Sequence, residues 1–246
     1  MNPILRSVTC CSCVLLCSTL PARAQSKPAG PARSRPAASS PAGRQDPFAR
    51  WEKEISAYET QDRANPPKKG GVLFIGSSTV RLWKTLEKDF AGHLVLNRGF
   101  GGSQIEDSTH FAERIIFPYE PRLVVLRAGG NDIHAGKTPE RVFADFQAFV
   151  ARVHARLPRS PIVYVSICPV PSRWPERDAC RKLNELVAGY VKERPYLRYV
   201  ETYDMVLDAD GQARAELFAA DRLHFSPAGY RLLADRVRPL LERPRP

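Results

Sequence analysis

Val72-Leu73-Phe74-Ile75-Gly76-Ser77-Ser78-Thr79 is four large apolar residues in succession, then a glycine and three hydroxyl side chains. An unbroken apolar run of this length, closed by glycine, predicts a strand buried on both faces. The same kind of run recurs at Leu94–Leu96, Leu123–Leu126, Ile162–Ile167 and Leu197–Val200, the last interrupted by Arg198. Between the runs lie stretches with helical spacing of apolar residues, near Val80–Phe90, Gln104–Ile116, Pro139–Leu157, Ala179–Arg194 and Pro227–Leu241. Short buried strands alternating with helices predict an α/β domain around a five-stranded parallel sheet. No internal repeat interrupts it, and the length suits one domain.

In parallel sheets functional groups gather beyond the carboxyl ends of the strands. There the sequence offers Gly76-Ser77-Ser78-Thr79, then Asn97-Arg98-Gly99-Phe100-Gly101-Gly102, then Gly129-Gly130-Asn131-Asp132, and finally Asp221-Arg222-Leu223-His224 before Ser226-Pro227 and the last helix. A hydroxyl, a glycine turn, a side-chain amide and a histidine with a carboxylate are the parts acyl transfer needs. Serine becomes a nucleophile when a base takes its proton, and histidine is the natural base at neutral pH. An aspartate three residues before it can hold the other ring nitrogen. Glycines let backbone N–H groups approach a developing oxyanion, and an Asn amide can add a donor. Each feature also has a plain structural reading: Ser77 and Ser78 as helix caps, Gly101-Gly102 as a turn, Asn131-Asp132 as an Asx-turn, Asp221 as a turn cap.

Taken together, these four blocks in this order resemble the SGNH (GDSL-type) hydrolases, over essentially the whole chain from Val72 to the last helix. The resemblance implies a flavodoxin-like three-layer α/β/α sandwich and hydrolysis of esters without a metal or other cofactor. It implies Ser78 as nucleophile, His224 as base and Asp221 as its partner. The oxyanion hole would be formed by the N–H groups of Ser78 and Gly102 and by the Asn131 amide. One departure stands out: the family commonly has Asp where this chain has Ser77, which leaves Ser77 as a rival nucleophile. His134 and Ser77 are candidate pocket residues, as are Arg173 and Trp174, which sit in the proline-stiffened stretch Cys168–Pro175; the competing reading of Trp174 is a side chain packed on the domain.

Outward from this domain the composition changes. Arg6, the apolar stretch Val8–Leu20 and Ala22-Arg23-Ala24 form the three regions of a signal peptide over residues 1–24, with cleavage expected before Gln25. The apolar stretch is too short for a comfortable membrane span, so no stable membrane insertion is expected after cleavage; the competing reading is an uncleaved anchor or a buried helix. Residues 25–45 are rich in Pro, Ala, Ser and Arg and predict a disordered tether. Residues 46–65 form a helical extension: Asp46-Pro47 reads as an N-cap with proline at the first helical position, and Phe48, Trp51, Ile55 and Tyr58 share one face. The hydrolase domain as a whole spans 46–246.

Removing the leader takes Cys10, Cys11, Cys13 and Cys17, leaving Cys168 and Cys180 as either a disulfide, in an oxidising compartment, or two buried thiols. The six basic residues before position 46, unmatched by any acid, lower the net charge from +11 to +5 for the domain. No base-reading motif accompanies that charge, so a nucleic-acid partner is not expected. Neither metal-ligand spacing nor a GxGxxG or P-loop pattern is present. The expected protein is an exported, periplasmic or extracellular, serine esterase acting on small acyl esters, carbohydrate acetyl groups among them. The alternatives are a lysophospholipase-type lipid esterase and a non-catalytic envelope-binding domain of the same fold.

Overall fold

The computed structural model describes residues 46–241. The leader and tether read from the sequence lie outside the described residues. Five parallel strands, β1 (Val72–Gly76), β2 (Val95–Gly99), β3 (Leu123–Arg127), β4 (Ile162–Val165) and β5 (Leu197–Val200), form one sheet in the order β2-β1-β3-β4-β5. Val72 is in register with Val95 on one side and Leu123 on the other, and Ile162 with Val124 and Leu197. The expected fold class, a three-layer α/β/α sandwich on a five-stranded parallel sheet, is what the structure shows.

The helices are α1 (Glu52–Ala64), α2 (Ser78–Arg81), α3 (Leu86–Asp89), α4 (Ile105–His110), α5 (Ala112–Ile115), α6 (Gly130–His134), α7 (Pro139–Arg156), α8 (Arg177–Lys192) and α9 (Pro227–Leu241). Strand side chains alternate between two cores. Leu73, Ile75, Val124, Leu126 and Tyr164 join Phe146, Phe149 and Leu183 of α7 and α8, whereas Val72, Phe74, Val125 and Val163 join Trp83, Phe90 and Leu233 on the side of α2, α3 and α9. Period-two alternation with both faces covered is why these strands read as continuous apolar runs.

Two helices expected as single elements are each broken. Val80–Phe90 is α2 and α3, because the Asn97 Nδ2 donates to the Val80 carbonyl at 2.6 Å and the buried Trp83 indole donates to Asp89 at 2.7 Å, drawing the chain off the helical path. Gln104–Ile116 is α4 and α5, joined at Phe111. The second strand runs past its expected end, to Gly99 rather than Leu96, and β4 stops at Val165 rather than Ile167. Asp46 does not cap a helix: its carboxylate accepts from the Phe48 N–H at 2.9 Å, and a 3-10 turn, Ala49–Trp51, leads into α1. The aromatic face of this extension does pack on the domain, with Trp51 edge-on to Phe100 at 5.5 Å. None of the described residues form a helix long and apolar enough to cross a membrane.

Candidate active site

β1 lies between β2 and β3, so the chain leaves β1 in one direction and returns on the other side of it. That reversal opens a crevice at the carboxyl ends of β1 and β3. Gly76 closes β1 with φ +138°, where a Cβ would meet the Arg127 carbonyl at 2.1 Å; only glycine fits. Ser77 then caps α2 in an extended conformation and Ser78 is its first residue. The Val80 and Arg81 N–H groups donate to the Ser77 carbonyl at 3.0 and 3.1 Å, whereas those of Ser78 and Thr79, at the start of the turn, have no backbone acceptor. α9 braces this turn through the Tyr230 hydroxyl, which donates to the Thr79 carbonyl at 2.9 Å.

The second loop is drawn to the first: the Phe100 N–H and the Ser103 hydroxyl both donate to the Gly76 carbonyl, at 2.9 and 3.2 Å. Gly102 adopts φ +82° with its Cα side facing Trp51. From the third loop, Asn131 Nδ2 donates to the Ser103 carbonyl at 3.0 Å, which joins the glycine turn to the amide.

The C-terminal block is a self-contained turn. Asp221 Oδ1 accepts from the N–H groups of Leu223 and His224 at 2.9 and 3.0 Å, and Oδ2 meets His224 Nδ1 at 2.6 Å. The His224 N–H and ring, with the Leu223 N–H, hold the Asp221 carboxyl down at about 2, so it is ionised at neutral pH. Arg222 takes φ +57° to make the turn, and Ala219 N–H closes it on the His224 carbonyl at 2.8 Å. With Nδ1 engaged, Nε2 is the nitrogen left to face the cleft.

One cleft of about 580 Å³, counted to its open mouth, brings Ser77, Ser78, Asn131, His224 and Arg173 together. No hydrogen bond joins Ser78 to His224 in this structure. Gly102, Asp221 and His134 are not among the residues that line it; Asp221 reaches it only through His224, and His134 Nδ1 lies against Glu176 at 2.6 Å. Trp174 opens instead on a neighbouring hollow with Arg222 and Phe218. Cys168 and Cys180 are free, buried thiols at the cleft, so of the two readings open for them the bridge is not formed. Cys168 Sγ accepts from Arg127 Nη2 at 3.2 Å, and burial raises both thiols, Cys180 to about 12.

Arg127 escaped the sequence reading. It is 7% exposed, lines the cleft, donates to Ser166 O and to Thr202 Oγ1, and lies over Phe225 at 5.3 Å without a carboxylate partner among the described residues. A charged residue ending an otherwise apolar strand was its only signal. The described residues hold no cluster of His, Cys, Asp and Glu suited to a metal ion.

The model of the GDSL-like lipase/acylhydrolase family matches residues 70–232. A provisionally assigned platelet activating factor from Streptococcus pneumonia has a similar structure, with 22% identity, TM-score 0.69, and coverage of 79% of this chain and 94% of that one. A GDSL-like lipase from Bacteroides thetaiotaomicron aligns with 20% identity and TM-score 0.65 over 76% of this chain and 97% of its own. A catalytic mutant of an acetylxylan esterase from Geobacillus stearothermophilus aligns with 16% identity and TM-score 0.57, over 72% and 96%. No curated protein matches the sequence.

Proposed function

This chain belongs to the GDSL-like lipase/acylhydrolase family, and from that premise we propose that it is a serine esterase cleaving small acyl esters through Ser78, His224 and Asp221. The observation that carries the reading is the Asp221–His224 contact of 2.6 Å, made by a histidine that shares its cleft with Ser78 and Asn131. Asp221 fixes the tautomer in which Nδ1 carries the proton, so Nε2 is free to accept one. Ser78 Oγ attacks the ester carbonyl as its proton passes to His224 Nε2. The carbonyl oxygen becomes an oxyanion held by the N–H groups of Ser78 and Gly102 and by Asn131 Nδ2. Collapse breaks the bond to the alcohol, which leaves with the His224 proton. Water then attacks the acyl-enzyme, giving its proton to His224, and the acid departs as Ser78 is reprotonated.

Ser77 occupies the cap position and shares the cleft, which makes it the rival nucleophile. Its extended backbone precedes the helix, whereas Ser78 starts it, where the N–H groups have no backbone acceptor. Small acyl groups suit a cleft walled by Ile167, Cys168 and Val170, and carbohydrate acetyl esters head the substrate panel. The leader pattern Arg6, Val8–Leu20, Ala22-Arg23-Ala24 supports export of the chain before it acts.

Hydrolysis of p-nitrophenyl esters of increasing chain length by wild type, Ser77→Ala and Ser78→Ala tests the assignment. Wild type turns over the acetyl ester best, Ser77→Ala retains most of that rate, and Ser78→Ala loses it. A preference for long chains would favour a lipid esterase. Wild type inert to the whole panel and to serine-reactive phosphonates would favour a binding domain.

A further inference from the structure

The oxyanion amide is held from two sides. Asn131 Nδ2 donates to the Ser103 carbonyl at 3.0 Å, and Asn131 Oδ1 accepts from Arg173 Nη1 at 3.1 Å. Turning the amide over would set its oxygen against the Ser103 carbonyl oxygen and its NH2 against a guanidinium, acceptor facing acceptor and donor facing donor. The two neighbours therefore select one orientation. In that orientation one Nδ2 hydrogen is taken by Ser103 and the second is free for an acceptor in the cleft that Asn131 lines. A cation on the amide oxygen also draws charge from the nitrogen and makes its remaining N–H a stronger donor.

Arg173 reaches this place by design of its loop. It lies in the 3-10 turn Pro171–Glu176, but its own φ of −128° and ψ of 34° leave the helical path. Its N–H is fixed on the Val170 carbonyl at 3.0 Å, and the preceding Ser172 N–H donates to the Arg222 carbonyl at 3.0 Å. Arg222 belongs to the turn that carries Asp221 and His224. Through Arg173 the loop of the base is thus connected to the amide that would face the oxyanion, although the two come from distant parts of the chain.

We infer that Arg173 is a positioning residue that sets and polarises the Asn131 amide for the oxyanion, an assignment that rests on the serine-esterase reading above. It acts through Asn131, so its effect belongs to the transition state and falls on kcat rather than on KM.

The test is a double-variant cycle with p-nitrophenyl acetate, using wild type, Arg173→Ala, Arg173→Lys, Asn131→Ala and Asn131→Ala/Arg173→Ala. Asn131→Ala is expected to lower kcat on the order of a hundredfold. Arg173→Ala lowers kcat roughly tenfold or more with KM within about twofold, and Arg173→Lys recovers part of the loss. The double variant is no slower than Asn131→Ala alone, because the amide through which Arg173 works is gone. Losses that multiply, a loss confined to KM, or an Arg173→Ala enzyme as fast as wild type would overturn the assignment. An Asn131→Ala enzyme as fast as wild type would refute the oxyanion role itself, a separate and recognisable result. Should Arg173→Ala fail to fold, Arg173→Gln enters the same cycle and decides it.

Discussion

Asp132 follows the cleft-facing amide directly, and its side chain has no exposed surface. Burial raises its carboxyl to about 6 from an ordinary 3.8, against the opposing pull of Lys137 and the Ile105 N–H. Oδ1 accepts from Ile105 N–H at 3.2 Å, while Oδ2 is buried without a partner. Between the two pH values the folded state keeps a proton that the unfolded chain has released. The contribution of this group to stability therefore falls as pH rises from about 4 to 6 and is flat above. A displacement of this size corresponds to about 3 kcal/mol. Asn at this position keeps the acceptor for Ile105 and has nothing to ionise. The stability of Asp132→Asn relative to wild type, from urea titrations at pH 4 and pH 7, should rise by up to about 3 kcal/mol across the window. A difference that does not change with pH would show that Asp132 is not the group responsible. Asp221 behaves oppositely: held at about 2 and half exposed, it stays ionised through the same window. Such residue-scale facts were only partly legible. The Asp221–His224 pair is local in sequence and could be read there, whereas the Arg173–Asn131 bond is tertiary and could not.

Among the elements, α1 shows how an extension becomes part of the domain. Arg98 of β2 is 4% exposed and lies 4.7 Å from the rings of both Tyr58 and Tyr119. Its guanidinium pairs with Asp62 near the end of α1, and its Nε donates to the Tyr119 hydroxyl at 2.7 Å. The helix thus supplies the counter-ion of a buried cation at the edge of the sheet. Removing one partner of such a pair leaves a charge without compensation, at a cost of about 3 to 5 kcal/mol. Asp62→Ala should lose about that much in urea unfolding, while breaking an exposed pair such as Lys69–Glu120 by Glu120→Ala should cost far less, because water screens it. Equal losses would mean that α1 is merely laid against the sheet. The sequence announced α1 by its aromatic spacing, but not this pair, because charged residues in a helix are by default read as solvated. The same reliance on spacing hid the breaks at Leu82–Thr85 and Phe111: apolar periodicity continues across both, and the contacts that interrupt the helix come from elsewhere in the chain.

At the scale of the molecule, the strand order β2-β1-β3-β4-β5 is what turns separate loop motifs into one cleft, since β1 and β3 must be neighbours for Ser78 and Asn131 to meet. Alternation of strands and helices gave the sheet its parallel sense; the order came from packing between distant runs that all look equally apolar. The cysteines pose the same kind of question. Export to an oxidising compartment would favour a bridge between Cys168 and Cys180, yet both line the cleft as buried thiols and the Cys168 sulfur is turned to Arg127. Burial raises both, which keeps them protonated and poor nucleophiles. A chain that begins at Gln25, and so lacks the four cysteines of residues 1–24, should therefore release two titratable thiols when denatured in the absence of reductant and react slowly with iodoacetamide while folded. Finding none after denaturation would mean that the pair is bridged. In that case the wall of the cleft beside Ser78 would be covalently closed, and activity would change on adding reductant.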